Sequence, residues 1–314
     1  MTGKKIILIV ESGEYSTAAL SLYSKLGKIY FYERLKERDL KKVLPKINIL
    51  IVRLGHKIDK NWLDKLPNLE LIASPTTGLN HIDLAEAKKR KIVVISLKGR
   101  TSFLKNITST AEETLALLLS LVRNIPWAFD DVKRGVWNRN AWKGHQLIGK
   151  TLGILGYGRL GKIMARYGKM LGMKVIICDP NLKKKIKNIV GMEKLFKQSD
   201  ILSVHVNLEK DTENLVSGRY LKMMKPSAYL INTSRGEILD ESALLSALKN
   251  KWIAGAALDV MKDEVGGRHL KNNPLLDYAK KNKNLIIVPH IGGATHEAMH
   301  ITEEYVANLV LDYY

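Results

Sequence analysis

Short, nearly continuous apolar runs recur along the first third of the chain: Lys5 to Val10, Ile29 to Tyr32, Ile49 to Val52, Leu71 to Ala73 and Ile92 to Ile95. Runs of this length and continuity suit strands buried on both faces. Ala18 to Leu26 and Ile82 to Lys89 lie between them with apolar residues at helical spacing. The alternation predicts a parallel sheet covered by helices. A second alternation starts at Thr151 and continues through Lys174 to Cys178, Ile201 to Val204, Ala228 to Asn232, Ile253 to Leu258 and Leu285 to Val288. Two sheets imply two domains. Ser109 to Arg123 carries Ala111, Leu115, Leu118, Leu119 and Val122 at helical spacing and is long enough to bridge the halves. The helix from His296 to Leu311 has no strand after it and is expected to cross back over the first domain. Asn124 to Gln146 shows no clear period, and its Trp127, Trp137 and Trp142 suggest either a packed loop or a subunit interface.

The run Leu152 to Leu155 leads directly into Gly156-Tyr157-Gly158-Arg159-Leu160-Gly161, and Leu160, Ile163, Met164 and Tyr167 follow at helical spacing. Strand, G-x-G-x-x-G turn and helix in this order form a dinucleotide site. Gly156 permits the tight turn, Gly158 the approach of a pyrophosphate and Gly161 close helix packing, while the amides at the helix start face the phosphate charge. The next strand, Lys174 to Cys178, ends in Asp179, placed to accept hydrogen bonds from ribose hydroxyls and to repel a 2′-phosphate. NAD is therefore expected over NADP. Lys183, Lys184, Lys185 and Lys187 could partly neutralise a 2′-phosphate, but a solvated helix face accounts for them more simply.

A chain of 314 residues with 46% hydrophobic residues has room for two cores. The apolar part of the start, Met1-Thr2-Gly3-Lys4-Lys5-Ile6, is soon interrupted by Glu11, so it reads as a first strand, with neither a secretory signal nor a membrane span expected. Cys178 is the single cysteine; no intramolecular disulfide is possible, and a cytoplasmic location is the simplest expectation. The formal charge of +20 raises nucleic acid, membrane surface or anionic metabolites as partners. Lysine is scattered, however, and the runs Lys36 to Lys42, Lys88 to Lys91 and Lys280 to Lys283 have no interleaved stacking aromatics, so specific nucleic-acid binding is not expected. The eight histidines show no metal-ligand spacing, which argues against a metal site.

Three successive strand ends in the second half carry chemistry. Arg235 follows the strand ending at Asn232, Asp259 closes the next with Glu264 five residues on, and His290 follows Leu285 to Val288. Ligands of open α/β sheets bind at the carboxyl ends of strands. An arginine there can hold a carboxylate and polarise the adjacent carbonyl, a histidine can protonate a ketone oxygen, and a carboxylate can support the charged imidazole. The set suits hydride transfer to a 2-keto acid, with Glu264 as the supporting carboxylate. His205 is a weaker candidate, suited to shaping the cofactor pocket.

The segments Thr76-Thr77-Gly78-Leu79-Asn80-His81-Ile82-Asp83, Leu152 to Gly161, Met224-Lys225-Pro226 with Asn232-Thr233-Ser234-Arg235-Gly236, Ala257-Leu258-Asp259-Val260 and Pro289-His290-Ile291-Gly292-Gly293-Ala294 closely resemble the D-isomer-specific 2-hydroxyacid dehydrogenase family over nearly the whole chain. The resemblance implies two Rossmann-like or flavodoxin-like α/β domains with catalysis in a cleft. Residues 1–103 with 291–314 would form a discontinuous substrate domain and 104–290 the NAD-binding domain. It implies Arg235, Glu264 and His290 as catalytic, and Arg53, Thr76, Thr77, Gly78 and Arg235 as substrate-binding. Besides the glycines and Asp179, cofactor contacts are implied for Arg159, Leu160, Pro180, His205, Val206, Asn207, Thr212, Thr233, Ser234, Arg235, Asp259, His290, Gly292 and Gly293, with Asp259 near the nicotinamide carboxamide. The family is usually a homodimer built through the cofactor domains.

Arg53 resembles an arginine that contacts substrate phosphate in phosphoglycerate dehydrogenases, and the basic charge would suit a phosphorylated acid. Ser74 stands where some of those enzymes supply a further arginine, Asn80 where the family often has Asp, and Asn207 where a proline is usual; the chain is also too short for their regulatory domain. A short phosphoglycerate dehydrogenase is the first substrate expectation and reduction of glyoxylate or hydroxypyruvate the second. An NAD-sensing corepressor can be built on the same fold, since fold alone does not fix function.

Overall fold

The computed structural model describes residues 4–182, 187–267 and 270–314, so Lys183, Lys184 and Lys185 of the basic run lie outside the described residues. The chain divides into two compact units: the first comprises the chain up to Ile107, a short piece 265–267 and Ala294–Tyr314; the second comprises Thr108–Glu264 and the piece ending at Gly293.

The first unit alternates β1 (Lys5–Ile9), α1 (Thr17–Leu26), β2 (Gly27–Phe31), α2 (Glu37–Val43), β3 (Ile49–Ile51), α3 (Lys60–Leu63), β4 (Leu71–Ser74), α4 (Leu84–Lys89), β5 (Val93–Ser96) and α5 (Thr101–Leu104). All strand pairs are parallel, in the order β2-β1-β3-β4-β5. This is the flavodoxin-like arrangement. β3 and β4 are buried throughout, as the continuous apolar runs require, because separate apolar clusters cover the two faces of the sheet.

The second unit contains α6 (Ser109–Val122), α7 (Ile125–Lys133), β6 (Thr151–Leu155), α8 (Arg159–Met170), β7 (Lys174–Cys178), α9 (Met192–Gln198), β8 (Ile201–Val204), α10 (Gly218–Leu221), β9 (Tyr229–Asn232), α11 (Glu241–Lys249), β10 (Gly255–Leu258), α12 (Pro274–Lys281) and β11 (Leu285–Ile287). Its parallel strands run β11-β10-β9-β8-β6-β7, so the strand order reverses between β6 and β8. Such a reversal opens a crevice at the carboxyl ends, where nucleotides bind. The final helix, α13 (His296–Tyr313), packs on α1 in the first unit.

α7 is the element that the periodicity does not reveal. Asn124 precedes it in the left-handed region with φ 56°, Pro126 occupies its first turn, and its apolar stripe of Ile125, Phe129 and Val132 is short. Trp127 packs on the core of the unit, while Ile125, Phe129 and Val132 line an exposed face. The tryptophans accordingly divide. Trp142 donates its indole N–H to Asp131 at 2.9 Å beneath Lys283, and Trp137 is 87% exposed. Among the described residues no helix is long and apolar enough to cross a membrane, and no group of metal-ligating side chains is found.

Candidate active site

The register of the second sheet sets Leu155, Val204, Asn232, Leu258 and Ile287 side by side across five strands. The residues that follow them therefore emerge along one edge: Gly156, His205, Thr233, Asp259 and, slightly later, His290. Strand alternation puts chemistry at these ends because the strand interiors are committed to the apolar core.

Gly156 has φ 90°, and a Cβ there would lie 2.7 Å from the His205 carbonyl and 2.8 Å from Val206 Cγ1. Any side chain would thus force the β6 turn away from the β8 end. At Gly161 a Cβ would lie 2.1 Å from the Gly156 oxygen, so the first turn of α8 closes onto the strand only with glycine. Gly158, by contrast, faces open space and precedes α8 without a side-chain cap, leaving the helix amides available to an anion. Arg159 and Leu160 begin α8; Leu160 packs against the core, and burial lowers the Arg159 guanidinium. The Asp179 carboxylate accepts from the amides of Tyr157 at 2.7 Å and Asn181 at 2.9 Å, tying the glycine turn to the β7 end beside exposed Pro180. These groups fit a dinucleotide: uncapped amides for its phosphates and a carboxylate with lone pairs left for ribose hydroxyls.

His205 bonds Ser203 Oγ through Nε2 at 2.7 Å, and its buried Nδ1 has no partner. Burial pushes its pKa down to about 4, so it is neutral at pH 7 and no cation is added beside the turn. Thr212 Oγ1 donates to the Asn207 carbonyl at 2.7 Å and shapes the loop that follows. At the β9 end, Asn232 accepts from both the amide and hydroxyl of Ser234, at 3.0 and 2.7 Å, and donates to the Arg235 carbonyl at 2.9 Å. Thr233 Oγ1 meets Thr114 Oγ1 on α6 at 2.7 Å. The sequence gives Thr114 no role and names Asn232 only within the segment ending at Gly236, although a threonine within the apolar face of α6 is a usable signal. Glu113, beside it, is raised by burial.

Arg235, Glu264 and His290 are all in the second unit. Burial lowers the Arg235 pKa while the charges of Glu264, Glu237 and Asp259 oppose the shift, as expected for a guanidinium held in an acidic setting. Glu264 Oε1 makes a short hydrogen bond to His290 Nδ1, and Oε2 accepts the Met261 amide at 2.9 Å. The carboxylate is fixed by its own loop, and it in turn fixes the imidazole. The nitrogen that Glu264 does not hold is Nε2 of His290. Asp259, 1% exposed, accepts the amides of Ile291 at 2.6 Å and Gly292 at 2.9 Å; burial pushes its pKa up to about 6, against the pull of those amides and of His290. Gly293 follows, exposed.

The remaining residues lie in the first unit. Thr76 Oγ1 bonds Ser74 Oγ and the Gly78 carbonyl, each at 2.8 Å, which holds the turn while Thr77 stays exposed. Arg53 is engaged within its own unit. Its guanidinium makes a short ion pair with Glu303 of α13, donates to the Gly13 carbonyl at 3.1 Å and lies over the Tyr15 ring. Its amide and that of Gly55 end on Glu11 at 2.8 and 2.7 Å.

Comparison with known proteins agrees with this geometry. Residues 115–292 match the family described as D-isomer specific 2-hydroxyacid dehydrogenase, NAD binding domain. The chain is 40% identical over 277 residues to a glyoxylate reductase of Thermococcus litoralis, covering 84% of this chain and 80% of that one. It is 33% identical over 298 residues to a D-3-phosphoglycerate dehydrogenase of Methanocaldococcus jannaschii, covering 93% of this chain and 54% of that relative. A D-lactate dehydrogenase from Aquifex aeolicus, solved with NAD and lactic acid, superposes with a TM-score of 0.81 at 28% identity, covering 98% of this chain and 95% of that one. The strand-end edge, the glycine turn and these likenesses lead to one conclusion: the chain belongs to the D-isomer specific 2-hydroxyacid dehydrogenases, oxidoreductases with an NAD-binding domain.

Proposed function

We propose that the protein reduces a small, unphosphorylated 2-keto acid, glyoxylate or hydroxypyruvate, to the D-2-hydroxy acid with NADH, and runs the reverse oxidation with NAD. The cofactor, held by the glycine turn, the α8 amides and Asp179, supplies or accepts the hydride. Arg235 holds the substrate carboxylate and polarises the keto group. His290 donates the Nε2 proton to the ketone oxygen on reduction and takes it from the hydroxyl on oxidation, with Glu264 holding Nδ1 throughout. The observation that carries the substrate choice is the Arg53–Glu303 ion pair, which already neutralises the guanidinium expected to receive a phosphate. The higher identity to a glyoxylate reductase supports the same reading.

The net charge of +20 favours a second reading, oxidation of 3-phosphoglycerate, because such a field attracts polyanions. A panel of 2-keto acids with and without a C3 phosphate, run with NADH and NADPH, separates the two. The expected kcat/KM favours the unphosphorylated acids by at least about tenfold, roughly 1.4 kcal/mol of transition-state binding, and favours NADH. Preference for 3-phosphohydroxypyruvate would reverse the assignment.

The exposed apolar face of α7, Ile125, Phe129 and Val132, continues into Val136 and Trp137. Exposed large apolar side chains so close in the chain suit an interaction surface, and the family's usual homodimer would supply a second copy to cover it. Sedimentation equilibrium should then give about twice the 35.4 kDa chain mass. Phe129→Glu should shift it toward the monomer; a monomeric parent chain would remove this reading.

A further inference from the structure

We propose that Glu303 of α13 is a specificity-determining residue: by holding the Arg53 guanidinium it keeps the first unit from receiving a keto acid with a second anionic group, such as a C3 phosphate. This rests on the substrate reading given above. The first sheet has its own reversal of strand order, between β1 and β3, and ligands of such sheets bind beyond the carboxyl ends at that point. Ile9 and Ile51 are register partners there, so the residues just beyond them, Glu11 and Arg53, emerge side by side. The register of Ile51 with Ala73 brings the turn at Thr76 to the same edge. A guanidinium in this place is suited to a carboxylate or a phosphate, which it grips through paired N–H donors.

Carboxylates of the chain itself already take both kinds of anion-binding group at this edge. The amides of Arg53 and Gly55 end on Glu11, at 2.8 and 2.7 Å. The Arg53 guanidinium pairs with Glu303 and donates to the Gly13 carbonyl at 3.1 Å. Glu303 is fixed for this contact: its Oε2 accepts the Ser16 amide at 2.7 Å, which leaves Oε1 for Arg53. Because the carboxylate is buried, water screens the pair little. An incoming phosphate therefore meets a guanidinium that is already neutralised, with a second negative charge close behind it. Glu304, the next residue of α13, accepts from Ser16 Oγ at 2.7 Å instead, so the two neighbouring glutamates differ in what they hold.

The test uses the full chain with NADH and compares hydroxypyruvate with 3-phosphohydroxypyruvate, which differ only in the phosphate. The parent, Glu303→Gln and Glu304→Gln are each checked for folding by urea unfolding. Glutamine at position 303 keeps an acceptor for the Ser16 amide and removes the charge that faces Arg53. The ratio of kcat/KM for the phosphorylated acid to that for the unphosphorylated one is expected to rise about tenfold in Glu303→Gln, as one charge-assisted contact becomes available. Glu304→Gln removes an equal charge from the overall field but frees no guanidinium, so its ratio should stay within about twofold of the parent. The gain should vanish in Arg53→Ala/Glu303→Gln, since the two residues act as one pair. Glu303→Asp keeps the charge but draws it back by one methylene; it should show a smaller gain of the same sign, and it serves if glutamine does not fold. An unchanged ratio in folded Glu303→Gln and Glu303→Asp overturns the proposal. So does an equal gain in Glu304→Gln, which would make the effect one of net charge, or a gain that survives the loss of Arg53. A parent that already prefers 3-phosphohydroxypyruvate overturns the substrate reading itself, whereas a parent that prefers hydroxypyruvate and is unaltered by Glu303→Gln loses only the role of Glu303.

Discussion

His290→Ala is expected to lower kcat for keto-acid reduction by about 100- to 10,000-fold, the range that a positioned general acid contributes. NADH affinity should remain close to that of the parent enzyme, because the glycine turn, the α8 amides and Asp179 are untouched by the change. The turn itself should also survive: its amides end on Asp259, not on the imidazole. The lost group is then the proton donor alone, with Glu264 left facing an empty position. Glu264→Gln is a useful companion, since an amide can still hold Nδ1 but no longer balances an imidazolium, and its loss should be smaller. Steady-state rates with glyoxylate, together with NADH fluorescence titrations, make the comparison. Near-normal turnover in His290→Ala would remove the histidine from the chemistry.

Glu303→Ala should cost about 3–5 kcal/mol of stability, the usual penalty for removing one member of a buried ion pair. Glu303 is 1% exposed; it accepts the Ser16 amide at 2.7 Å and pairs with Arg53, whose side chain is only 17% exposed. Truncation leaves the guanidinium charged and enclosed against Tyr15, with its buried Nε already lacking a partner. It also leaves the amide at the start of α1 without an acceptor. The figure describes breaking the pair and says nothing of its worth against an apolar replacement. Glu303→Gln keeps the acceptor for Ser16 and should cost less. Urea unfolding of the three proteins tests this, and a change below about 1 kcal/mol for alanine would mean that the pair relaxes into solvent.

The legibility of the chain was uneven for physical reasons. Strand positions were readable because parallel strands buried on both faces need continuous apolar runs, and β6, β7 and β8 fall where those runs stand. The glycine turn was readable because its steric demands are local: Gly156 and Gly161 answer to neighbours that the strand and helix bring with them. α7 escaped because its stripe of Ile125, Phe129 and Val132 is short and faces outward, opposite the tryptophan that packs on the core. Thr114 and Asn232 escaped because their value lies in which strand end they touch, a property of the sheet register.

Local patterns alone were sufficient for two parallel α/β sheets, a dinucleotide turn, an acidic residue after β7, and the location of Arg235, Glu264 and His290 beyond successive strands. Each follows from backbone conformation or strand alternation, which neighbouring residues dictate. The partners of those groups needed the folded chain. Arg53 meets Glu303 across 250 residues of sequence, and Asp259 holds amides more than 30 residues away. Such pairings decide whether a charge is free to bind substrate or spent within the protein, and long-range packing sets them, because burial forces every enclosed charge and amide to find whatever partner the fold brings near.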